Sequence, residues 1–487
     1  MVLALTCVTL VLHWLQKSPC RQPETWGGYG QLSRFCYSDV MALYGAPGGL
    51  STGGLPYLDY PLEYPVLTGV FMTVIGAPVH LVGRVVSIRE FVWFYDLTAL
   101  VLLGCAVATV VMILRLRRRR PWDAAMFAVS PALLLTATVN WDLLAVALAV
   151  GGIAAWSRRR PELAGLLLGL GAAAKLWPGF ILLPLIFLGL RTGYRAAVKR
   201  AVGYGIGAWV GVNLPIMFVD YLSNGSLANW AEFLRLNTTR PIDWGTLWYV
   251  ARYLDREMTA GVGPFEWLGG HVDPHLNWLT YGLFGLACVG LLVLTRKAPQ
   301  PPRLAALALL TVAAFLLFNK VWSQQFVLWL LPLVVLARPR WGAFVAWQAA
   351  EVVYFFAFYG QLIRAEPQRP EDLFVMPEGW FIIAAAGRWV SVAVLCGLVV
   401  YDILHPGGDP VRRSYGGDPD AGGFADGHDQ QVQARSGDVS GGSQPEDDQA
   451  ADLLPADAEP VAGGLQRPLP GGTGHPVRQD DDRRHPE

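Results

Sequence analysis

The sequence predicts an all-α polytopic membrane protein of about 12 transmembrane helices, with interfacial helices in its first external loop and a disordered tail after residue 404. Three observations predict it. Of the 487 residues 53% are hydrophobic and only 16% charged, with a mean hydropathy of +0.36, above that of an ordinary soluble chain. Apolar runs recur from end to end. Lys and Arg gather in clusters separated by acid- and aromatic-rich segments, as they do when basic loops stay on the cytoplasmic side.

The runs fall in order. Met1 to Leu15 is shorter than the ~20 residues that cross hydrocarbon, and lacks the basic start and small-residue cleavage site of a signal peptide. It is expected to be a first spanning helix whose initial turns are missing from this chain. Further runs lie at 91–114, 122–138, 142–156, 161–174, 177–190, 198–219, 276–295, 303–319, 325–337, 341–358 and 380–404. Trp and Tyr residues often lie at their ends, where an amphipathic ring suits the interface.

Five basic clusters orient these runs: Arg115 with Arg117 to Arg120; Arg158 to Arg160; Arg191, Arg195, Lys199 and Arg200; Arg296, Lys297 and Arg303; Arg338 and Arg340. Parity places all five on one side, the cytoplasm. Counting Val66 to Val82 as a span would break that parity. Bounded by Pro65 and Pro78 and followed by Arg84 and Arg89, this run reads instead as a helix at or dipping into the outer surface. Residues 16–90 then form one external loop and 220–275 another, within a domain of residues 1–404 in the plasma membrane. Residues 405–487, rich in Gly, Pro, Asp, Gln and Arg, bury too little apolar area to fold and read as a disordered cytoplasmic tail.

The polar residues of the external segments are Tyr37-Ser38-Asp39, Asp59 to Pro65, Asn140-Trp141-Asp142, Lys175 to Pro178 and Asn319 to Gln325. Acids, two lysines and aromatics on one membrane face suit a substrate with one greasy and one polar end. Each has a plainer reading. Asp39 fits a helix N-cap, Glu63 favours a helix start through the dipole, and Lys175, Lys320 and Asp142 sit where a charge is either a snorkelling helix end or functional. Cys7, Cys105, Cys288 and Cys396 lie inside apolar runs as small core residues. Cys20 and Cys36 share the first loop and could close a disulfide worth roughly 3 kcal/mol.

Cys36-Tyr37-Ser38-Asp39, Glu63-Tyr64-Pro65-Val66-Leu67-Thr68-Gly69, Asn140-Trp141-Asp142, Ala172-Ala173-Ala174-Lys175-Leu176-Trp177-Pro178 and Ser323-Gln324-Gln325 to Leu331-Pro332 together resemble glycosyltransferase family 87. Individually weak, they gain specificity from their order and spacing over residues 16–404. The resemblance implies a GT-C-like fold, a hexosyltransferase using a polyprenyl-phosphate mannose donor, and a lipid-linked or glycan acceptor at the outer surface among membrane lipids. It implies Asp39 as general base and Lys175, with Lys320, as donor-phosphate ligands. Asp59, Glu63, Tyr64, Asn140, Asp142, Trp322 and Gln324 would shape the site. Relatives acting on phosphatidylinositol mannosides carry histidine where this chain has Ser323-Gln324-Gln325, which withholds their acceptor and a histidine relay from it.

No ligand-spaced Cys/His/Asp/Glu cluster is present and the chemistry requires no metal, so no metal or cofactor is expected. His271 and His275 read as surface histidines. No nucleic-acid partner is expected. The rival function, a lipid or sugar transporter or flippase, would show repeated halves with broken helices and midplane acids, and the acids here gather in outer loops.

Overall fold

The structure, a computed structural model, describes residues 1–26, 29–367 and 375–421. Its regular elements are helices, and no strand forms among the described residues. α1 (Val2–Lys17) leads into a loop bearing α2 (Gly30–Ser33), α3 (Asp39–Tyr44) and α4 (Val66–Gly83). Then come α5 (Glu90–Leu116), α6 (Asp123–Ala128), α7 (Pro131–Thr136), α8 (Asp142–Trp156), α9 (Pro161–Ala174), α10 (Leu182–Thr192) and α11 (Arg195–Asn224). A second loop carries α12 (Ala228–Thr239), α13 (Leu247–Thr259) and α14 (Pro264–Gly270). The last passes are α15 (Asn277–Lys297), α16 (Leu304–Phe318), α17 (Val327–Ala337), α18 (Trp341–Ala365) and α19 (Glu378–Leu404), before a short α20 (Pro410–Tyr415). The expected all-α polytopic architecture is the one observed.

Six helices are long and apolar enough to cross a membrane by length and composition, α4, α5, α11, the helix through 272–297, α18 and α19, with shorter apolar helices packed among them. The run at 122–138 is split because Pro131 lacks an N–H and its ring disfavours helix at Ser130. Gln348 fills the break, its Oε1 accepting from Ser130 Oγ at 2.6 Å and Ala132 N–H at 3.1 Å. α17 is buried on every side, as its all-round apolar sequence requires. α11 is the reverse, with most of its apolar surface facing outward. It meets α9 through small residues: a Cβ on Gly165 or Gly169 would lie 1.9 or 2.1 Å from the carbonyl oxygens of Ala201 and Gly205, a close backbone approach typical of membrane helix pairs.

The basic clusters meet at one end of the bundle, where Glu162, just after Arg158 to Arg160, pairs with Arg200 at 2.7 Å. Arg117 donates to the Leu336 carbonyl at 2.8 Å, Arg191 reaches the Thr295 carbonyl, and Arg338 pairs with Asp402 at 2.9 Å. Asn140, Lys175 and Gln324 lie at the other, the site end. α4 has the length to cross, yet both its ends belong to the site end. Thr68 Oγ1 donates to the Ala174 carbonyl beside Lys175 at 2.8 Å, and His80 Nδ1 is 3.3 Å from Glu90, the first residue of α5. Both ends of α4 are thus tied at the site end of the bundle.

The tail corrects the expectation of disorder from residue 405. Asp409 caps α20 and accepts from Arg303 Nε at 2.7 Å, and Asp420 accepts from both Arg117 terminal nitrogens at 2.6 and 2.8 Å. Composition missed this because a few charge pairs, rather than apolar area, order the segment. The rest of the expected disordered tail, from residue 422, lies outside the described residues.

Candidate active site

Asp39 is placed from behind and from beside. Lys17, the last residue of α1 and fully buried, donates to the Tyr37 carbonyl at 3.0 Å and the Phe35 carbonyl at 3.5 Å, and Gln16 bonds the Phe35 carbonyl as well. Phe35 has φ 54°, a left-handed conformation that costs a non-glycine residue about 1 kcal/mol or more. Its ring packs edge-on against Phe356 and Tyr359. Cys20 and Cys36 are joined in a disulfide, closing the loop just outside these contacts. Beside Asp39, Ser38 Oγ donates to the Thr138 carbonyl at 2.6 Å and the Asp39 N–H to the Val139 carbonyl at 2.7 Å.

Ser38, in extended conformation, takes the N-cap position of α3, which frees the Asp39 carboxylate from capping. It accepts instead from Tyr64 Oη at 2.9 Å and Asn140 Nδ2 at 3.4 Å, and Asn140 also donates to Tyr64 Oη at 3.1 Å. Burial pushes Asp39 above the usual carboxylate range and Glu63 adds to this, against the Tyr64 and Tyr37 hydrogen bonds and the Lys175 charge. Tyr64 is held over this point by Tyr57, whose hydroxyl donates to the Tyr64 and Pro65 carbonyls at 2.9 Å each. The glycine of the Glu63–Gly69 segment is required for that packing: a Cβ on Gly69 would sit 2.3 Å from the Tyr57 ring.

Lys175 leaves α9 in an extended conformation. Its Nζ lies 3.4 Å from Asp142 Oδ1 and 4.9 and 5.4 Å from the ring centroids of Tyr64 and Phe326. Asp142 is fully buried and also accepts from Trp329 Nε1 at 2.6 Å. It stands behind the lysine as its counter-ion.

The facing wall, 319–325, is fastened by groups the sequence reading did not single out. Asp243 accepts from the Trp322 N–H at 3.0 Å, and its own N–H donates to the Lys320 carbonyl at 2.9 Å. Arg388, buried and paired with Glu351 at 2.9 Å, donates to the Trp322 and Ser323 carbonyls at 3.2 and 3.1 Å. A charge inside the apolar run 380–404 was a legible signal for Arg388. Asp243, in a polar loop, had none.

Two cavities meet at Asp39. One, about 270 Å³, is lined by Asp39, Glu63, Tyr64, Asn140 and Lys175, by aromatic residues including Trp177, Phe233, Phe326 and Trp329, and by Arg240. The other, about 420 Å³, is lined by Asp39, Tyr37, Gln31, Gln324 and Glu366 among others, with no cation among its described residues. Asp39, Ser323 and Gln325 belong to both.

Other expected site residues lie elsewhere. Asp59 is exposed and closes a turn, its Oδ2 accepting from the Leu55 N–H at 2.8 Å. Lys320 donates to the Thr238 carbonyl at 2.8 Å, terminating α12, and lines neither cavity; burial draws it down to about 8. Trp322 is buried with the Arg388 guanidinium 4.4 Å from its ring centroid, so its neighbours Val321 and Ser323 line the site in its place. His271 and His275 stack around Trp267, apart from both cavities. Alternation along a loop explains two of these: residues 319, 321, 323 and 325 face the cavity, which turns 320 and 322 away.

The model of glycosyltransferase family 87 matches residues 64–319, more than half of the chain. The chain belongs to glycosyltransferase family 87. The family match takes in Tyr64, Asn140, Asp142, Lys175 and Arg240, while Asp39 precedes it. Among solved structures the chain is similar to ArnT from Cupriavidus metallidurans, crystallised bound to undecaprenyl phosphate, at 14% identity and a TM-score of 0.37, over 82% of this chain and 77% of that one. No curated protein sequence matches.

Proposed function

We propose that this family 87 membrane enzyme is a GT-C-type hexosyltransferase. It moves a mannosyl residue from a polyprenyl-phosphate donor to a lipid-linked or glycan acceptor on the extracytoplasmic face, with inversion. The observation that carries the reading is the place of Asp39, on the wall shared by a cavity with cations and aromatic surface and a second one whose polar lining is three amides, a tyrosine, a serine and Glu366 among apolar residues. The first suits a sugar-phosphate joined to a lipid; the second suits the hydroxyls of an acceptor.

Asp39 accepts the proton of the acceptor hydroxyl as that oxygen forms its bond to sugar C1. The bond from C1 to the phosphate oxygen breaks, and the lipid phosphate leaves with the electron pair. It is a weak base that needs charge stabilisation and no proton, and Lys175 supplies the charge. Asp39 then releases its proton to solvent. One displacement converts a β-linked donor to an α-linked product. Burial makes Asp39 a stronger base than a surface carboxylate, while Tyr64 and Asn140 fix its direction.

Membranes containing wild type or Asp39→Asn, incubated with radiolabelled polyprenyl-phosphate mannose and extracted glycolipids and glycans, test this. The variant should lose transfer by about 10²- to 10⁴-fold. Full transfer by the variant removes Asp39 as base. Labelling of single cysteines between residues 40 and 62 by an impermeant reagent tests the sidedness, with protection from outside overturning it.

A further inference from the structure

Arg240 is the cation of the first cavity that the sequence reading overlooked, and it pairs there with Glu63. We propose that Arg240 is a ligand of the donor phosphate and that Glu63 is its resident counter-ion, displaced when the donor enters. The proposal rests on the reading of the donor as a polyprenyl-phosphate sugar.

The first support is the stripe on which Arg240 stands. Its N–H donates to the Leu236 carbonyl at 2.9 Å, continuing the last turn of α12. Phe233, Leu236 and Arg240 thus follow each other along one helical face, and all three line the cavity. Two apolar side chains leading to a guanidinium match the order of groups in a prenyl chain ending in phosphate.

A second support is the contrast between the two cations. Lys175 is committed: its side chain is 10% exposed and its partner Asp142 is 0% exposed, so withdrawing it would strand a buried carboxylate. Arg240 and Glu63 are 42% and 34% exposed, where an ion pair is weak and water readily takes up a released carboxylate. Exchange of partner is cheap only at Arg240.

The third is shape and charge. A guanidinium presents parallel N–H groups that fit a carboxylate and a phosphate alike, so the Glu63 carboxylate occupies the place of the phosphate oxygens. With Lys175 offset by Asp142 and Arg240 by Glu63, the cavity meets the donor's added negative charge only if Glu63 turns out to solvent.

The test is direct binding of a fluorescent short-chain polyprenyl phosphate, with the matching alcohol as control, to the full chain in nanodiscs. Arg240→Gln should weaken the phosphate probe by about tenfold or more and leave the alcohol unaffected. Arg240→Lys should retain part of the affinity, and Glu63→Gln should tighten it by a few fold. In transfer assays the same differences should fall on donor KM rather than kcat. Equal probe binding by wild type and Arg240→Gln overturns the proposal. So does equal weakening by Glu63→Gln and Arg240→Gln, which would make the pair a structural strut. The expected binding pattern without transfer from any polyprenyl-phosphate sugar upholds the exchange and defeats the transferase reading instead.

Discussion

Two buried polar clusters stand at opposite ends of the bundle, and they differ in how completely their charges are answered. At the basic end Asp420 receives two bonds from Arg117 and one from Arg303, whose N–H groups also meet Asp409 and the Leu336 and Ala337 carbonyls. Burial alone would raise Asp420, but Arg117 and Arg303 hold it below the usual carboxylate range. At the site end Asp39 is raised, and Asn140 Oδ1 and Asp142 Oδ2 are buried without a partner. At the basic end both carboxylate oxygens of Asp420 are answered, and Arg117 Nε is the buried atom left over; at the site end Asn140 Oδ1 is left short of a partner beside a cavity, poised to accept a substrate.

The largest effects should separate the two ends by kind. Asp39→Asn should abolish most transfer while the thermal unfolding midpoint stays near that of wild type; a large fall in that midpoint would place Asp39 in the scaffold. Arg117→Met should do the opposite. It leaves the buried Asp420 with Arg303 as its cation and should cost up to roughly 3 kcal/mol of stability, read by thermal unfolding, with activity per folded molecule unchanged. A variant that unfolds no earlier than wild type would show that the tail contact is dispensable.

Acid separates the clusters next. Asp39, raised in the fold, takes up its proton above the usual carboxylate range, and protonation there does not reduce its contribution to stability. Asp420, depressed, contributes stability that is present above its unfolded-state value and disappears only as pH falls through the lower folded value. Transfer should therefore fail at a higher pH than folding does, and coincident loss of the two would break the comparison.

Smaller shifts sharpen it. Lys17 has no carboxylate within ion-pair distance among the described residues, and Asp39 is the acid whose charge reaches it. Other titratable groups coupled to Asp39 include Tyr37, Tyr64, Glu63, Lys175 and Tyr359. Lys17→Gln keeps a donor for the Tyr37 carbonyl but removes the charge. The acid limb of the activity profile should rise, whereas a purely structural role would lower kcat with the limb unmoved. Lys320→Gln should leave both donor KM and kcat at wild-type values, and a raised KM would return Lys320 to the site.

Much of this architecture was legible because hydrophobic runs and basic clusters follow from the solvent, which acts on every residue alike. The parity argument singled out α4, which is also the shortest of the long apolar helices at 18 residues against 25 to 30. The site was legible where an odd residue stood against its background, as Lys175 and Asn140 do between apolar runs. It was illegible where the decisive fact is a direction. Lys320 and Arg240 are both cations in polar stretches of the sequence, and only the backbone path turns one toward Thr238 and the other toward the cavity. The tail misled for a related reason: Asp409 and Asp420 resemble any solvated acids until Arg117 and Arg303 are seen waiting for them.

The registration of Ser38 and Asp39 on the Thr138 and Val139 carbonyls bears on how such an enzyme can diversify. The acid is keyed to the stretch just ahead of α8 as well as to the end of α1, so its place is set from two sides of the chain at once. On the proposed reading, changes in the loop before Asp39 would alter what meets it without moving it from the Thr138 and Val139 carbonyls.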